Sequence, residues 1–210
     1  MNKKSKARFL GKMGIIFLLI ILFSSYSVAG DWFELNLMSE LELKEKIIEF
    51  EKRLDQNQHD YETFKALGVA YGIMARKDAK KFAPSSVDML TKAHEMNKKD
   101  YVVLCSLGNS TTMMANTTWN PMKKMFYANR GIALMDKAVR RAPDNVKVRL
   151  TRANNSKRLP DFLKQSDVAI EDYEYLAKLI EKDPKALGHL KKDVEMNLGE
   201  LYKNKEETSH

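Results

Sequence analysis

The apolar residues of this chain recur at helical spacing over most of its length. The segment after Ser39 has an apolar side chain every three or four positions, which puts these side chains on one face of a helix: Leu43, Ile47, Phe50 and Leu54. Similar stripes continue almost to the end of the chain, and no run of alternating β-branched residues indicates a strand. The 210 residues include only 9 Gly and 5 Pro, as expected for helices joined by short turns. The pattern therefore predicts an all-α fold.

Prolines and caps mark several predicted helix ends. Ser39, followed three residues later by Glu42, matches a capping box at the start of the first long helix. Asn120 is a suitable N-cap, and Pro121 suits the first position of a long helix that ends before Pro143. The predicted buried stripe of this helix is Met122, Phe126, Ile132, Met135 and Val139. The sequence Ala83-Pro84-Ser85 predicts a break, after which a new helix begins at Ser85.

The first 29 residues resemble a secretory signal peptide. A basic start is followed by 11 apolar residues, Met13 to Phe23, and by small residues at Ser27 and Ala29. We therefore predict export, to the periplasm or the exterior, with cleavage near Ala29. A lead-in at 30–37, a helical domain at 38–205 and a frayed polar tail at 206–210 would follow. The alternative is an uncleaved membrane anchor at 13–23, although a spanning helix needs about 20 apolar residues.

The excess of positive charge belongs mostly to this leader. The whole chain has a net charge of +8, but residues 1–29 contain five basic side chains and no acidic one. Without them, the 36 basic residues fall to 31 against 28 acidic residues, which leaves +3. No basic stripe alternates with aromatic residues, so a nucleic-acid partner is not expected. Membrane contact is expected only through the N-terminal segment, if that segment is retained.

A short motif recurs along the helices. Phe64 and Leu67 precede Gly68 and Tyr71, and later segments repeat parts of this order: Leu107-Gly108, and Leu198-Gly199 with Tyr202. A small residue follows in the next helix of two units, at Ala93 and Ala138, and Pro143 and Pro184 follow predicted helix ends. The motif resembles that of the tetratricopeptide repeat family. The stretch from Gly131 to Arg149 also resembles exported bacterial tetratricopeptide-like proteins without an assigned role.

The resemblance implies a right-handed α-solenoid of about three degenerate helical hairpins with flanking helices. The small residues would then lie where helices cross, so that these positions are predicted inter-helix packing sites. The spacing departs from the family period of about 34 residues, since Gly68 and Gly108 are 40 residues apart and Pro143 and Pro184 are 41 apart. An unrelated helical bundle is the alternative.

The resemblance also implies a binding groove along the first helix of each hairpin. The groove positions of the family correspond here to Lys65 and Val69, Cys105 and Asn109, and Leu150 and Asn154. An amide at Asn109 or Asn154 can bond to a peptide backbone, and Lys65, Lys157 and Arg158 could meet a carboxylate. The alternative is that these side chains face solvent or bond to neighbouring helices.

The sequence offers no catalytic constellation. No nucleophile elbow, phosphate-binding loop or zinc motif is present, and His189 with Asp193 gives only two possible metal ligands. We therefore predict a non-catalytic exported scaffold or adaptor that binds an unidentified protein or peptide and needs no cofactor or metal. The alternative is an envelope hydrolase or a small-ligand-binding protein, with a pocket near Trp119. The single cysteine, Cys105, is expected to be a buried apolar side chain.

Overall fold

The computed structural model describes residues 32–207, and all regular secondary structure in this range is helical. Three short 3₁₀ turns, Met114–Thr117, Asp161–Leu163 and Gly188–Leu190, lie between α-helices. The α-helices are α1 Trp32–Leu37, α2 Glu40–Gln56, α3 Tyr61–Met74, α4 Ala79–Met96, α5 Tyr101–Met113, α6 Pro121–Arg141, α7 Val146–Ser156, α8 Ser166–Lys182, α9 Pro184–Leu187 and α10 Lys191–Glu207. The all-α prediction is confirmed. The predicted signal peptide and anchor segment lie outside the described residues.

Side-chain caps fix most helix starts. Ser39 and Glu42 form the capping box that the sequence predicts, because the Ser39 N–H donates to Glu42 Oε2 at 2.7 Å and the Glu42 N–H donates to Ser39 Oγ at 3.3 Å. An Asp or Asn side chain accepts a backbone N–H at the start of α3, α4, α5, α6, α7 and α9. Polar residues in the short connections therefore set where each helix begins.

The helices pack mainly on their neighbours in the chain. The closest pairs are α3 with α4, α5 with α6, and α7 with α8, and α5 also contacts α3 and α7. The buried side chains divide accordingly into clusters that follow the chain order, from α1–α5 through α5–α7 to α7–α10. The chain thus forms a series of helix pairs.

Glycines lie where paired helices approach most closely. A methyl group at Gly108 would lie 2.7 Å from the carbonyl oxygen of Gly131 on α6 and 2.7 Å from Cγ of Met135. A methyl group at Gly68 would lie 2.6 Å from Cγ of Leu90 on α4. Both distances are shorter than van der Waals contact, so the two crossings require glycine. The other predicted packing residues with little or no exposure are Phe64, Leu67, Ala93, Leu107 and Ala138.

The predicted packing site near the C-terminus is wrong at two positions. A methyl group at Gly199 would meet no atom within 4 Å. Tyr202 is 43% exposed, and its hydroxyl donates to Glu174 at the surface. Leu198 alone packs, half-buried, against the α7–α10 cluster. The reason is that no further helix follows α10 in the described chain to cross it.

The two prolines after predicted helix ends have different positions. Pro143 follows the end of α6 as expected, and its carbonyl oxygen accepts a hydrogen bond from Nε of Arg149 at 2.8 Å. Pro184 instead opens α9 at its first position, after α8 has ended at Lys182.

Tyr71 is the remaining predicted packing residue. It is partly buried, and its ring stacks on that of Phe82.

Two helix predictions are corrected by the packing. Helix α4 begins at Ala79 and continues through Pro84, so the break predicted at Ala83-Pro84-Ser85 is wrong. The fully buried Ala83 and Ser86 hold this turn in place although the proline removes one helix hydrogen bond.

The buried stripe of α6 also differs from the prediction. Met122 and Phe126 are 80% and 57% exposed, whereas the buried face consists of Ala128, Gly131, Met135, Ala138 and Val139. Gly131 lies against Gly108 of α5, where the two backbones leave no room for a side chain, and Met135 packs beside this crossing.

A buried charge cluster joins α6, α7 and α8. Asp172 is fully buried and accepts bonds from Nη1 of Arg149 at 2.6 Å and from Nε of Arg152 at 2.7 Å. Arg152 also donates to Asp136 of α6 at 2.9 Å. Two arginines and two aspartates therefore compensate one another between the helices.

We expect Gly108→Ala to lower the free energy of unfolding by about 1–3 kcal/mol, because the added methyl group overpacks the α5–α6 crossing. Gly199→Ala is the matched control and should raise stability by roughly 0.5–1 kcal/mol through helix propensity alone. Urea denaturation monitored by circular dichroism measures both. Equal effects of the two substitutions would contradict the close crossing.

We expect Asp172→Asn to cost about 3–5 kcal/mol of stability, because two buried guanidiniums lose their shared counter-charge. Its sequence neighbour Glu171 has a 67% exposed side chain and touches the same arginines from outside. Glu171→Gln should change stability by less than about 1 kcal/mol. Thermal unfolding of the two variants at one pH tests the difference, and similar melting temperatures would argue against the buried cluster.

Candidate functional site

A cavity of about 330 Å³ lies among α3, α5 and α7. We call it the central cavity. The side of α3, α5 and α7 that lines it is called the inner face. Helix α1 covers one side, and the turn around His189 and Leu190 closes another. The polar side chains of the lining include Arg76, Ser106, Asn109, Thr151, Asn154 and Arg158. Odd-numbered helices of successive pairs thus bring together residues that are far apart in the sequence.

The structure places four of the six predicted groove residues at this cavity. Val69, Asn109, Asn154 and Arg158 all belong to its lining, and Val69 is almost completely buried. Leu150, the apolar candidate from the third unit, also lines it.

The two predicted lysines do not line the cavity. Nζ of Lys65 donates to Asp100 at 2.6 Å, and the Lys157 ammonium contacts Asn197 at 2.6 Å and pairs with Glu200. Carboxylates of the chain itself thus compensate both ammonium groups. Their role toward a carboxylate of a partner stays a prediction, since such a partner would have to replace these contacts.

Neighbouring residues fix the orientation of the two groove amides. Nδ2 of Asn155 donates to Oδ1 of Asn109 at 2.9 Å, and the Tyr173 hydroxyl donates to Oδ1 of Asn154 at 2.8 Å. Both amide oxygens are therefore occupied by contacts within the chain. Each amide keeps its NH₂ group, a donor, for the cavity.

Two hydroxyls in the lining lack hydrogen-bond partners. The oxygen atoms of Ser106 and Thr151 are buried, and neither has a partner among the described residues. Ser110 differs, because its hydroxyl is bonded to that of Ser86 at 2.7 Å. Unsatisfied buried hydroxyls are costly, and a cluster of them at a cavity indicates an incomplete polar site.

Two guanidiniums face the central cavity without a carboxylate partner. Within residues 32–207, neither Arg76 nor Arg158 has an ion pair, and Arg76 donates only to Oδ1 of Asn36 at 2.9 Å. Arg76 and Arg158 are exposed residues whose guanidiniums lose part of their hydration. This loss lowers the pKa of Arg76, and the positive charge of Arg158 lowers it further. The loss of hydration also lowers the pKa of Arg158. The repeat motif does not predict Arg76 as a groove residue, because Arg76 lies just beyond the end of its helix and outside the motif.

Helix α1 is the element that sequence reasoning missed. Leu35 is 1% exposed and belongs to the α1–α5 cluster, whereas Phe33 packs against the α7–α10 cluster. The Phe33 ring lies edge-on to the His189 ring, with 5.9 Å between the ring centres. Nζ of Lys147 lies 5.2 Å from the centre of the Phe33 ring. The predicted lead-in is thus a docked helix that bridges the two ends of the domain. The aromatic pair Trp32-Phe33 shortly before Leu35 is the signal in the sequence that could have indicated it.

Trp119 does not line the central cavity, although the alternative function needs a pocket near it. Trp119 is 85% exposed, and the ammonium groups of Lys80 and Lys124 lie 5.5 and 5.7 Å from its ring centre. No group of three or more His, Cys, Asp or Glu side chains in the described part of the chain could hold a metal ion. Among the same residues, no helix combines the length and apolarity that crossing a membrane requires.

Comparison with known proteins gives no match. No protein-family model, no curated protein and no solved structure is similar to this chain at a significant level. The resemblance to tetratricopeptide repeats therefore stays a prediction from the sequence motif.

We expect Cys105 to be unreactive in the folded chain, because its side chain has no exposed surface and burial raises the pKa of the thiol. Its Sγ donates to the carbonyl oxygen of Val148 at 3.3 Å and not into the cavity. Reaction with a chromogenic disulfide reagent at pH 8 should be slow for the native chain and fast in urea. Equal rates in the two conditions would show that the thiol is accessible.

Proposed function

We propose that this chain is an exported, non-catalytic scaffold with a tetratricopeptide-like right-handed solenoid. In this proposal the hairpins are α3–α4, α5–α6 and α7–α8, and the first helix of each forms the inner face. The order of packing along the chain and the side-chain-free crossings at Gly68 and Gly108 support the arrangement. The signal-like residues 1–29 support export.

We propose further that the inner face binds a short apolar segment of a protein partner. The observation that carries this proposal is the position of α1, which lies against the inner face with Trp32 and Phe33 in the cavity lining and Leu35 buried. A surface that accepts one amphipathic helix of six residues offers the apolar contacts needed by a similar segment from another chain.

Docked α1 would then compete with a partner for the inner face. A tethered segment acts at an effective concentration of about millimolar, so that weaker free peptides cannot displace it. Variants that release α1 should therefore bind partners better than the unmodified chain. This competition can be measured with a free peptide that has the sequence of α1, so the natural partner need not be known.

The test uses Trp32 as the reporter in a Trp119→Phe background. Trp119 is 85% exposed, so its replacement should leave the fold unchanged. Leu35→Asp places a charge in the buried site of α1, and we expect α1 to detach and Trp32 emission to shift to the red. Leu37→Asp is the matched control, since Leu37 is on the same helix but 87% exposed, and its emission should not change.

A labelled peptide with the sequence of residues 31–38, DWFELNLM, then probes the vacated face. We expect the Leu35→Asp chain to bind it at least tenfold more tightly than the Leu37→Asp chain, measured by fluorescence anisotropy. Circular dichroism should show that both variants keep their helices. Absence of binding to either chain, or equal binding to both, would refute the proposed segment-binding surface.

A further inference from the structure

The polar groups that the inner face presents to the central cavity are mostly hydrogen-bond donors. The guanidiniums of Arg76 and Arg158 can only donate. The amide oxygens of Asn109 and Asn154 each accept a bond within the chain, which leaves the NH₂ groups as the unbonded ends of the two amides. A set of converging donors is complementary to a ligand that only accepts hydrogen bonds, and an oxyanion is such a ligand.

The charge in the cavity lining is positive. The lining contains two arginines, Arg76 and Arg158, and one carboxylate, Asp193. Neither arginine forms an ion pair within the described residues, so Asp193 lies more than 4 Å from both guanidiniums. Arg76 and Arg158 are exposed, in contrast to the buried Arg149 and Arg152, which are paired with Asp172. The positive charge of the two cavity arginines is therefore available to a ligand that enters from solvent.

The unpartnered hydroxyls give an independent indication of a ligand. Ser106 and Thr151 are 6% and 7% exposed, they belong to α5 and α7, and both are part of the same lining. A hydroxyl left without a partner in the interior loses the hydrogen bonds it makes in water.

The remainder of the lining sets the size and character of the ligand. A volume of about 330 Å³ is at the lower end of the range for small-molecule sites. Phe33 of α1, Ile73 and Leu150 supply apolar surface beside the polar groups. The ligand should therefore combine an oxyanion with a compact apolar part.

We propose that the central cavity binds a small organic oxyanion, a phosphate or a carboxylate, between Arg76 and Arg158. The NH₂ donors of Asn109 and Asn154 contact its oxygens beside the unpartnered Ser106 and Thr151, and α1 covers its apolar part. This inference uses the same inner face as the proposed function. It does not need a protein partner, so each can fail without the other.

Isothermal titration of the purified chain with matched aromatic probes tests the ligand chemistry. The probes are phenyl phosphate, benzoate and the neutral benzyl alcohol. We expect at least one of the two anions to bind at least tenfold more tightly than the alcohol. The stronger anion identifies phosphate or carboxylate. A further arm compares acetyl-glycyl-phenylalanine with its C-terminal amide, which lacks the carboxylate. If the free acid binds more tightly than both its amide and benzoate, the oxyanion is the C-terminal carboxylate of a peptide.

Variants locate the site. Arg76→Gln and Arg158→Gln should each weaken anion binding about tenfold or more, since each removes a charged donor. Arg130→Gln is the matched control, because Arg130 is exposed and lies over the Phe126 ring outside the cavity. It removes the same charge and should leave the affinity unchanged.

Asn154→Asp tests the orientation of the amides. The substituted side chain keeps an oxygen for the Tyr173 hydroxyl and replaces the cavity donor by an acceptor. We expect it to reduce anion binding at least as much as the arginine variants, while melting temperature and helicity remain close to those of the unmodified chain.

The outcomes separate the two proposals. Equal affinity for anion and alcohol, or equal losses in Arg130→Gln and Arg158→Gln, would overturn the oxyanion site and leave the peptide titration with DWFELNLM unaffected. Anion binding that depends on Arg76 and Arg158 would support the site even if that peptide does not bind.

Discussion

The close crossing of paired helices is the constraint on which the rest of this structure depends. At Gly108 and Gly131 the backbones of α5 and α6 approach until a single methyl group would overlap the facing carbonyl oxygen. Met135 is the large side chain that packs against Gly108, and small residues, Ala128, Gly131 and Ala138, make up most of the buried face of α6. Met122 and Phe126 lie on the exposed side. The close approach of α5 and α6 follows from these small residues.

Polar groups are enclosed wherever helices approach so closely, and most of them find partners in the next element. Ser86 of α4 bonds to the Gly68 carbonyl oxygen and to Ser110 of α5. Asp172 of α8 accepts bonds from two arginines of α7, and one of them, Arg152, also donates to Asp136 of α6. These bonds tie three consecutive pairs together. Against this background, the unpartnered Ser106 and Thr151 stand out because both lie at the central cavity.

Helix α1 connects the packing of the domain to its proposed activity. Leu35 anchors it to the first helices of the domain and Phe33 to the last ones, so that the helix both stabilises the series and covers the inner face. Any ligand of that face must therefore fit beneath α1 or replace it. The proposed oxyanion site and the proposed segment-binding surface both lie next to this short helix, but they depend on different side chains.

The sequence by itself determined the all-α class, the capping box at Ser39, the end of α6 before Pro143 and the close-packing roles of Gly68 and Gly108. These features depend on residues adjacent in the chain or on one helix face, where spacing carries the information. Only the tertiary structure decided that Gly199 is free of neighbours, that Lys65 and Lys157 are paired within the chain, and that Arg76 joins Arg158 at a cavity. Each of these depends on which helix lies opposite, and a periodic pattern specifies that a face is buried without specifying what covers it.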